Sequence, residues 1–441
     1  MYTLLLSGLI SEKMAENRPI DILVLGATGF TGQRVVAKLV EIAKQHGQVR
    51  WGVAGRNLEK LRAVLKEAAK KTGENLENIP IVIADVTDEK SLADMASKTK
   101  VVINVCGPYA FYGEPVVKAC INSGTHHLDV SGEPLYMESV QLKYHASADE
   151  KGVYVITGCG LSGVPADVGT IFLRKQFGGA LNSVEIFLSA EEQPSSEKNK
   201  SSAIGHYATW ESAVNGLPLA KELKAVRSRL FSKKMPVHKP RLESRFPIHK
   251  NALAGGKWCL PMKGADKSIV VRSQRYLHEL YREIPAQADV HVAIRDFVSM
   301  SILVFFALIF LLLAKFSIGR SLLLKYPEIF SRGCFSREGP TEEAQKNSVV
   351  SFTFFGRGWS QKTGPAATLP DKTVTTKLVL RSPGYGFTAT SIILCAMTIL
   401  EESKNMPLRG GVYPPGAAFA KTSLIEKLDR HGVHFEVIRS T

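Results

Sequence analysis

The chain has 441 residues, 45% hydrophobic and 22% charged, which accommodates two or three globular domains and excludes wholesale disorder. Its formal net charge is +15, and between Lys221 and Lys250 ten Lys or Arg face only Glu222 and Glu243, a local excess of +8 in 30 residues. Aromatics are sparse there and no nucleic-acid motif accompanies the run, which excludes nucleic acid and leaves solvent or anionic lipid as its partner.

In chain order, residues 2–10 are apolar but lack a basic start and a small-residue cleavage site, so no secretory signal is read. Transit-peptide arginines are also missing. Residues 1–18 read as a dispensable extension, with Met14 as an alternative start. The run Asp21-Ile-Leu-Val-Leu-Gly-Ala-Thr-Gly-Phe-Thr-Gly32 follows, a buried parallel strand ending in Gly26, Gly29 and Gly32, and residues 33–43 continue at helical period. A strand feeding a glycine turn into a helix aims free N–H groups at one spot, where the helix dipole also favours negative charge. That suits a dinucleotide pyrophosphate, although the spacing is G-x-x-G-x-x-G rather than G-x-G-x-x-G. A glycine turn without a ligand is the alternative.

Residues 51–56 form a second strand, Asn57 caps a helix over 58–71, and 79–84 form a third strand closed by Asp85. A helix over 91–97, a strand over 101–105, the turn Cys106-Gly107-Pro108-Tyr109, a helix over 115–123 and strands over 127–130 and 152–157 follow. This alternation predicts an α/β Rossmann-type doubly wound parallel sheet over 19–160. From 161 to 441 the pattern is α+β, with strands over 183–189, 349–356 and 373–380 and helices over 385–402 and 422–431, as expected of a substrate domain. Within it, residues 297–314 carry no charge. As a helix they span about 27 Å, the lower limit for crossing a bilayer. A core helix, a single span and an interfacial anchor all fit. Lys315, Arg320, Lys325 and Arg332 immediately after the run favour association with a membrane or lipid surface.

Six cysteines lie far apart, without metal-type spacing, which points to reduced thiols and no structural metal. At the end of the second strand an acidic residue would accept from ribose hydroxyls and favour NAD. Gly55-Arg56 stands there instead, a guanidinium suited to a 2′-phosphate, so NADP is favoured over NAD. The cofactor set is then Gly26, Thr28, Gly29, Phe30 and Gly32 on the pyrophosphate, Arg56 on the 2′-phosphate, Asp85 near the adenine, and Gly107, Pro108 and Tyr109 lining the nicotinamide. None of the twelve tyrosines has Lys four residues later, which disfavours the short-chain dehydrogenase mechanism. Tyr109, Tyr112, His127, Asp129 and Glu133 lie near predicted strand ends; Tyr109, Tyr112 and Glu133 are kept as catalytic candidates, while Cys159 reads as structural.

Gly26-Ala-Thr-Gly-Phe-Thr-Gly-Gln33, Val53-Ala-Gly-Arg56, Gly107-Pro-Tyr-Ala-Phe-Tyr-Gly-Glu-Pro-Val116 and Asp129-Val-Ser-Gly-Glu133 resemble the saccharopine dehydrogenase-like oxidoreductases. So do Pro165-Ala-Asp167, Gly339-Pro-Thr-Glu-Glu343 and Gly411-Val-Tyr-Pro-Pro-Gly-Ala-Ala-Phe419, and the similarity runs from about residue 19 to the end. The resemblance implies an oxidoreductase associated with lipid droplets or other membranes on their cytosolic face, with the mitochondrion as the alternative. Distant bacterial relatives act as trans-acting enoyl reductases. A nucleotide-binding scaffold without catalysis and a true saccharopine dehydrogenase are the rival readings. Expected partners are a lipid surface, a small-molecule or lipid-linked substrate, and, as an option, a second copy of the chain.

Overall fold

The computed structural model describes residues 17–47, 49–191, 203–236, 239–243, 245–362 and 369–441. The extension up to residue 16, with Met14, lies outside the described residues. Arg18 is not dispensable. Its Nη1 donates to Thr99 O at 2.7 Å and Thr125 Oγ1 at 2.6 Å, and its Nη2 to Ser123 O, tying the chain entry to two later loops.

The first layer alternates β1 (Ile20–Leu25), α1 (Phe30–His46), β2 (Trp51–Gly55), α2 (Leu58–Thr72), β3 (Ile81–Ile83), α3 (Glu89–Ser97), β4 (Thr99–Asn104), α4 (Tyr109–Ser123), β5 (His126–Asp129), α5 (Pro134–Glu150) and β6 (Tyr154–Ile156). Every residue of β1 is buried, as a central strand covered on both faces requires. α1 buries Val35, Val36, Leu39, Val40 and Ile42 against it. The chain continues through α6 (Val164–Phe177), β7 (Ala180–Ala190), β8 (Gly205–His206), α7 (Tyr207–Gly216), α8 (Ala220–Leu230), β9 (His249–Asn251), β10 (Lys257–Pro261), α9 (Asp266–Tyr281) and β11 (Gln287–Ile294). Next come α10 (Phe297–Leu313), α11 (Ser317–Lys325), α12 (Pro327–Phe330), β12 (Phe335–Ser336), β13 (Val349–Trp359), β14 (Lys372–Arg381) and α13 (Tyr385–Glu402). β15 (Gly411–Tyr413), α14 (Pro415–Ala418), α15 (Leu424–Arg430) and β16 (His434–Ser440) end it.

The first sheet is parallel throughout, in the order β15-β6-β5-β4-β1-β2-β3, and is the expected doubly wound α/β sheet. The division at residue 160 is not a clean cut. β15 pairs with β6 from far along the chain, and α13 packs along α1 and over β4 and β5. The second sheet, β16-β14-β13-β7-β11-β10-β9, is mixed, with β7 and β11 its parallel pair. α6 and α9 pack on it, and one buried core runs continuously through both sheets.

Three elements depart from the sequence pattern. The helix expected at 115 begins at Tyr109, because Glu133 supplies from elsewhere the cap that the local sequence lacks. α5 buries Tyr136, Met137, Glu138 and Gln141, a face mixing apolar with polar side chains, so no apolar stripe announces it. α6 is buried on nearly every side and reads no better. The basic run is also less free than composition implies. Arg227 forks onto the buried carboxylate of Glu138 at 2.8 and 2.7 Å, and Arg245 pairs with Glu185.

α10 corrects the core-helix reading. Asp296 caps it by accepting from Ser299 N at 2.8 Å, yet Met300 alone is buried, because no layer of the fold covers it. Phe297, Val298, Phe305, Leu308 and Leu312 are each more than half exposed. Its underside rests on Trp210, whose ring lies 4.9 Å from that of Phe310 and whose Nε1 donates to Leu323 O at 2.9 Å. Among the described residues no helix is long and apolar enough to cross a membrane.

Candidate functional site

β1 delivers the chain to Gly26 at φ +86°, where L side chains are strained and a Cβ would lie 2.6 Å from Cys106 Sγ. Gly29 N–H closes the turn onto Gly26 O at 3.0 Å, and α1 starts immediately afterwards with no side chain capping it. At Gly32 a Cβ would sit 2.1 Å from Gly26 O, so only glycine lets the helix approach the strand this closely. The first-turn amides of α1 are thus left for an anion, which the helix dipole favours. A groove of about 290 Å³ borders the loop, lined by Thr28, Gln33, Lys60, Ala63, Val64 and Glu67. These residues fit a dinucleotide.

Phe30 contributes only its backbone there. Its ring stacks on His206 at 4.6 Å, meets Tyr385 edge-on, and carries the Arg34 guanidinium 3.4 Å from its centroid. Gly339, of the Gly339-Pro-Thr-Glu-Glu343 stretch, fits against the same ring, where a Cβ would come within 2.6 Å of Phe30 Cζ. Local sequence offers no sign of these contacts, because they join residues far apart in the chain.

Arg56 follows β2, is exposed, and forms no hydrogen bond or ion pair among the described residues. Asp85, near enough to feel its charge, instead caps its own turn. Its Oδ1 accepts from Thr87 N at 2.9 Å and Thr87 Oγ1 at 2.8 Å, which hold the carboxyl below its usual range. Gly107 is exposed at the mouth of β4, joined to a buried Pro108 by a cis peptide.

The catalytic candidates separate on geometry. Tyr109 is buried, its hydroxyl donating to Asn104 O at 3.1 Å and accepting from Val130 N at 3.4 Å; burial drives its phenol well above the usual value. Glu133 accepts from Tyr109 N at 2.9 Å and Ala110 N at 2.8 Å, and so serves as the cap of α4. In this structure the polar atoms of both are engaged in contacts that hold the start of α4. Tyr112, exposed on the first turn of α4, has a hydroxyl that makes no hydrogen bond among the described residues. His127 is buried and pushed down to about 3 by that burial, hence neutral. Burial raises the Cys159 thiol well above its ordinary value, the neighbouring Cys395 adding to this, consistent with an inert thiol.

The Pro165-Ala-Asp167 stretch proves to be a tie. Asp167 Oδ2 accepts from Gly416 N at 2.6 Å and Ser273 Oγ at 2.7 Å, joining α6, α9 and α14. Burial raises the carboxyls of Asp167 to about 7 and of Asp129 and Asp266 to about 6. Among the described residues neither Asp266 carboxyl oxygen has a side-chain partner. Because the folded chain holds these protons more tightly, the stability they contribute is complete below about pH 4 and is lost as pH rises through 6 to 7. Asp21 and Glu402 run the other way. Partial burial opposes it, but Arg50 and Lys100, and Lys427 and Ser423, hold them at about 2, so their contribution disappears on acidification. The three raised carboxyls therefore lower the thermal midpoint as pH rises from about 4 to 7, while His126 and His127, held by burial at about 4 and 3, raise it up to about pH 6.5. Asp266→Asn should remove its share of the fall, so that the midpoint drops less or rises more between about pH 4 and 6 in a pH series of melting curves; an unchanged slope would refute this assignment.

Residues 22–156 match the family described as the saccharopine dehydrogenase NADP binding domain. A human protein named saccharopine dehydrogenase-like oxidoreductase is 40% identical over 432 residues, 97% of this chain and 99% of that one. A Caenorhabditis elegans protein named lipid droplet localized protein is 34% identical, over 95% of this chain and 98% of its own. Apo saccharopine dehydrogenase (L-Glu forming) from Saccharomyces cerevisiae shares the fold with a TM-score of 0.53 at 15% identity, covering 95% of this chain and 100% of that one. With near full-length identity of this order, the chain belongs to the saccharopine dehydrogenase-like oxidoreductase family and carries that family's nicotinamide-cofactor domain.

Proposed function

We propose that the protein is an NADP-dependent oxidoreductase that takes a lipid-linked substrate at a lipid surface. The observation that carries this reading is the coexistence of an uncapped α1 behind a glycine turn, an unengaged Arg56, and an apolar helix with one buried residue. In this reading the backbone of Gly26, Thr28, Gly29, Phe30 and Gly32 holds the pyrophosphate, Arg56 the 2′-phosphate, and Gly107 to Tyr109 border the nicotinamide. Asp85 shapes the adenine end through its turn. The bound cofactor supplies the hydride. Tyr112, exposed on the first turn of α4 with its hydroxyl unengaged among the described residues, is the proton donor. The name of the C. elegans relative supports the location.

Titration with NADPH and NADH tests the cofactor. Arg56→Ala is expected to weaken NADPH binding roughly 10- to 100-fold, the worth of one charge-assisted hydrogen bond, and to leave NADH almost unchanged. An unaltered preference would remove Arg56 from the 2′-phosphate, and no binding of either nucleotide would sink the reading. Imaging of the tagged chain checks location; confinement to mitochondria or cytosol counts against the lipid surface.

A second reading, a nucleotide-binding scaffold without catalysis, is favoured by the engagement of Tyr109 and Glu133 and the burial of His127. NADPH turnover with neutral lipids or acyl thioesters separates the two. Turnover lost in Tyr112→Phe supports the enzyme; no turnover with the unaltered chain supports the scaffold.

A further inference from the structure

We infer that the surface formed by α10, α11 and α12 recognises anionic phospholipid headgroups, and does not merely adsorb to apolar material. The inference rests on the lipid-surface reading above and adds the chemistry of the partner.

The apolar part is plain. Phe305, Leu308, Leu312, Phe316, Ile318 and Ile329 are each more than half exposed. An exposed apolar patch of this kind marks an interaction site. The rim is more specific. Between residues 296 and 337 five cations, Lys315, Arg320, Lys325, Arg332 and Arg337, face two carboxylates, Asp296 and Glu328. None of the five cations forms an ion pair among the described residues. Elsewhere the same chain pairs its cations readily, as in Arg227 with Glu138 and Lys71 with Glu342.

The rim cations are nevertheless held by neutral groups. Arg320 Nη1 donates to Ala314 O at the end of α10, at 3.1 Å, and Arg337 Nη2 to Leu324 O near the end of α11, at 3.3 Å. Arg332 lies 5.7 Å from the Phe306 ring centre, Lys325 5.3 Å from that of Tyr326, and Arg337 4.6 Å from that of Tyr207. Carbonyls and ring faces orient a cation without neutralising it. The two carboxylates are engaged with backbone groups, Asp296 with Ser299 N and Glu328 with Arg337 N. The result is a set of placed positive charges without ion pairs, Glu211 lying near enough to feel the charge of Arg337, around side chains suited to acyl chains. A phospholipid layer with anionic headgroups supplies both complements; a neutral layer supplies one.

Flotation of the full chain with phosphatidylcholine vesicles, with vesicles containing about 30% phosphatidylserine, and with phosphatidylcholine-coated oil emulsions tests this. Each basic residue near a charged surface adds about fivefold in affinity, so binding to the anionic vesicles should exceed neutral ones by well over about tenfold and weaken as salt is raised. Lys325→Gln with Arg332→Gln, both exposed and outside the residues assigned to the cofactor, should lose about 25-fold on anionic vesicles alone. Their melting curves report that the chain remains folded. Leu308→Ser with Leu312→Ser should lose binding to every surface. Equal, salt-insensitive binding to neutral and anionic layers overturns this inference while leaving the lipid surface standing. No binding to any layer removes the lipid surface itself. Release from anionic vesicles by millimolar inorganic phosphate at constant ionic strength also overturns the inference, since a free-anion site would then account for the cations.

Discussion

Gly32→Ala is expected to abolish nicotinamide-cofactor binding. The new methyl group would lie 2.1 Å from Gly26 O and 2.8 Å from Ala27 Cα, both backbone atoms, so no side-chain rotation relieves it. α1 must lift from β1 or the turn must open. Overpacking of this kind costs about 1–3 kcal/mol of stability. The effect on binding is larger, because the amides that converge on a pyrophosphate would no longer do so. Two lost charge-assisted hydrogen bonds at about 1.5–3 kcal/mol each correspond to 100-fold or more in Kd. Gly216→Ala is the control: it lies on α7 with open space beside it, and the change should be neutral or mildly stabilising. NADPH titration of a folded Gly32→Ala chain that returned the unaltered Kd would place the cofactor elsewhere.

The second large effect lies at Asp167. Alanine there leaves Gly416 N–H and Ser273 O–H buried without their acceptor. Orphaned donors cost about 1–3 kcal/mol each, so a loss of roughly 2–6 kcal/mol is expected in chemical denaturation. Asp167→Asn retains one acceptor oxygen and should be milder, and without a titrating carboxyl its stability should depend less on pH. Cofactor affinity should survive both changes. Reduced turnover at unchanged stability would instead give Asp167 a chemical role.

These contrasts explain what was legible in advance. The glycine turn, β2 with Arg56 after it, and α13 were readable because each is encoded by neighbours in the chain. The contacts of Tyr109 and Glu133 were not readable for the opposite reason. Their polar atoms meet across 24 residues, at a strand end where an open side chain looks catalytic and a satisfied one looks the same. α6 escaped because a helix buried on nearly every side has no polar face to set its period. The run at 297–314 was readable as a helix, but its surroundings were not. Whether an apolar helix is covered depends on what packs over it, and here Trp210 touches one side only. The apolar and cationic composition of α10 to α12 was in plain view; that its cations form no ion pairs among the described residues became visible only with the side chains in place.

The return of β15 to the edge of β6 bears on how the protein is made. A nascent chain released up to residue 160 holds six strands of the parallel sheet and none to cover the outer side of β6. That edge stays open for pairing with other chains until more than 250 further residues have been translated. The cofactor domain should therefore aggregate when expressed alone, and recover solubility when the segment carrying β15 is supplied in trans.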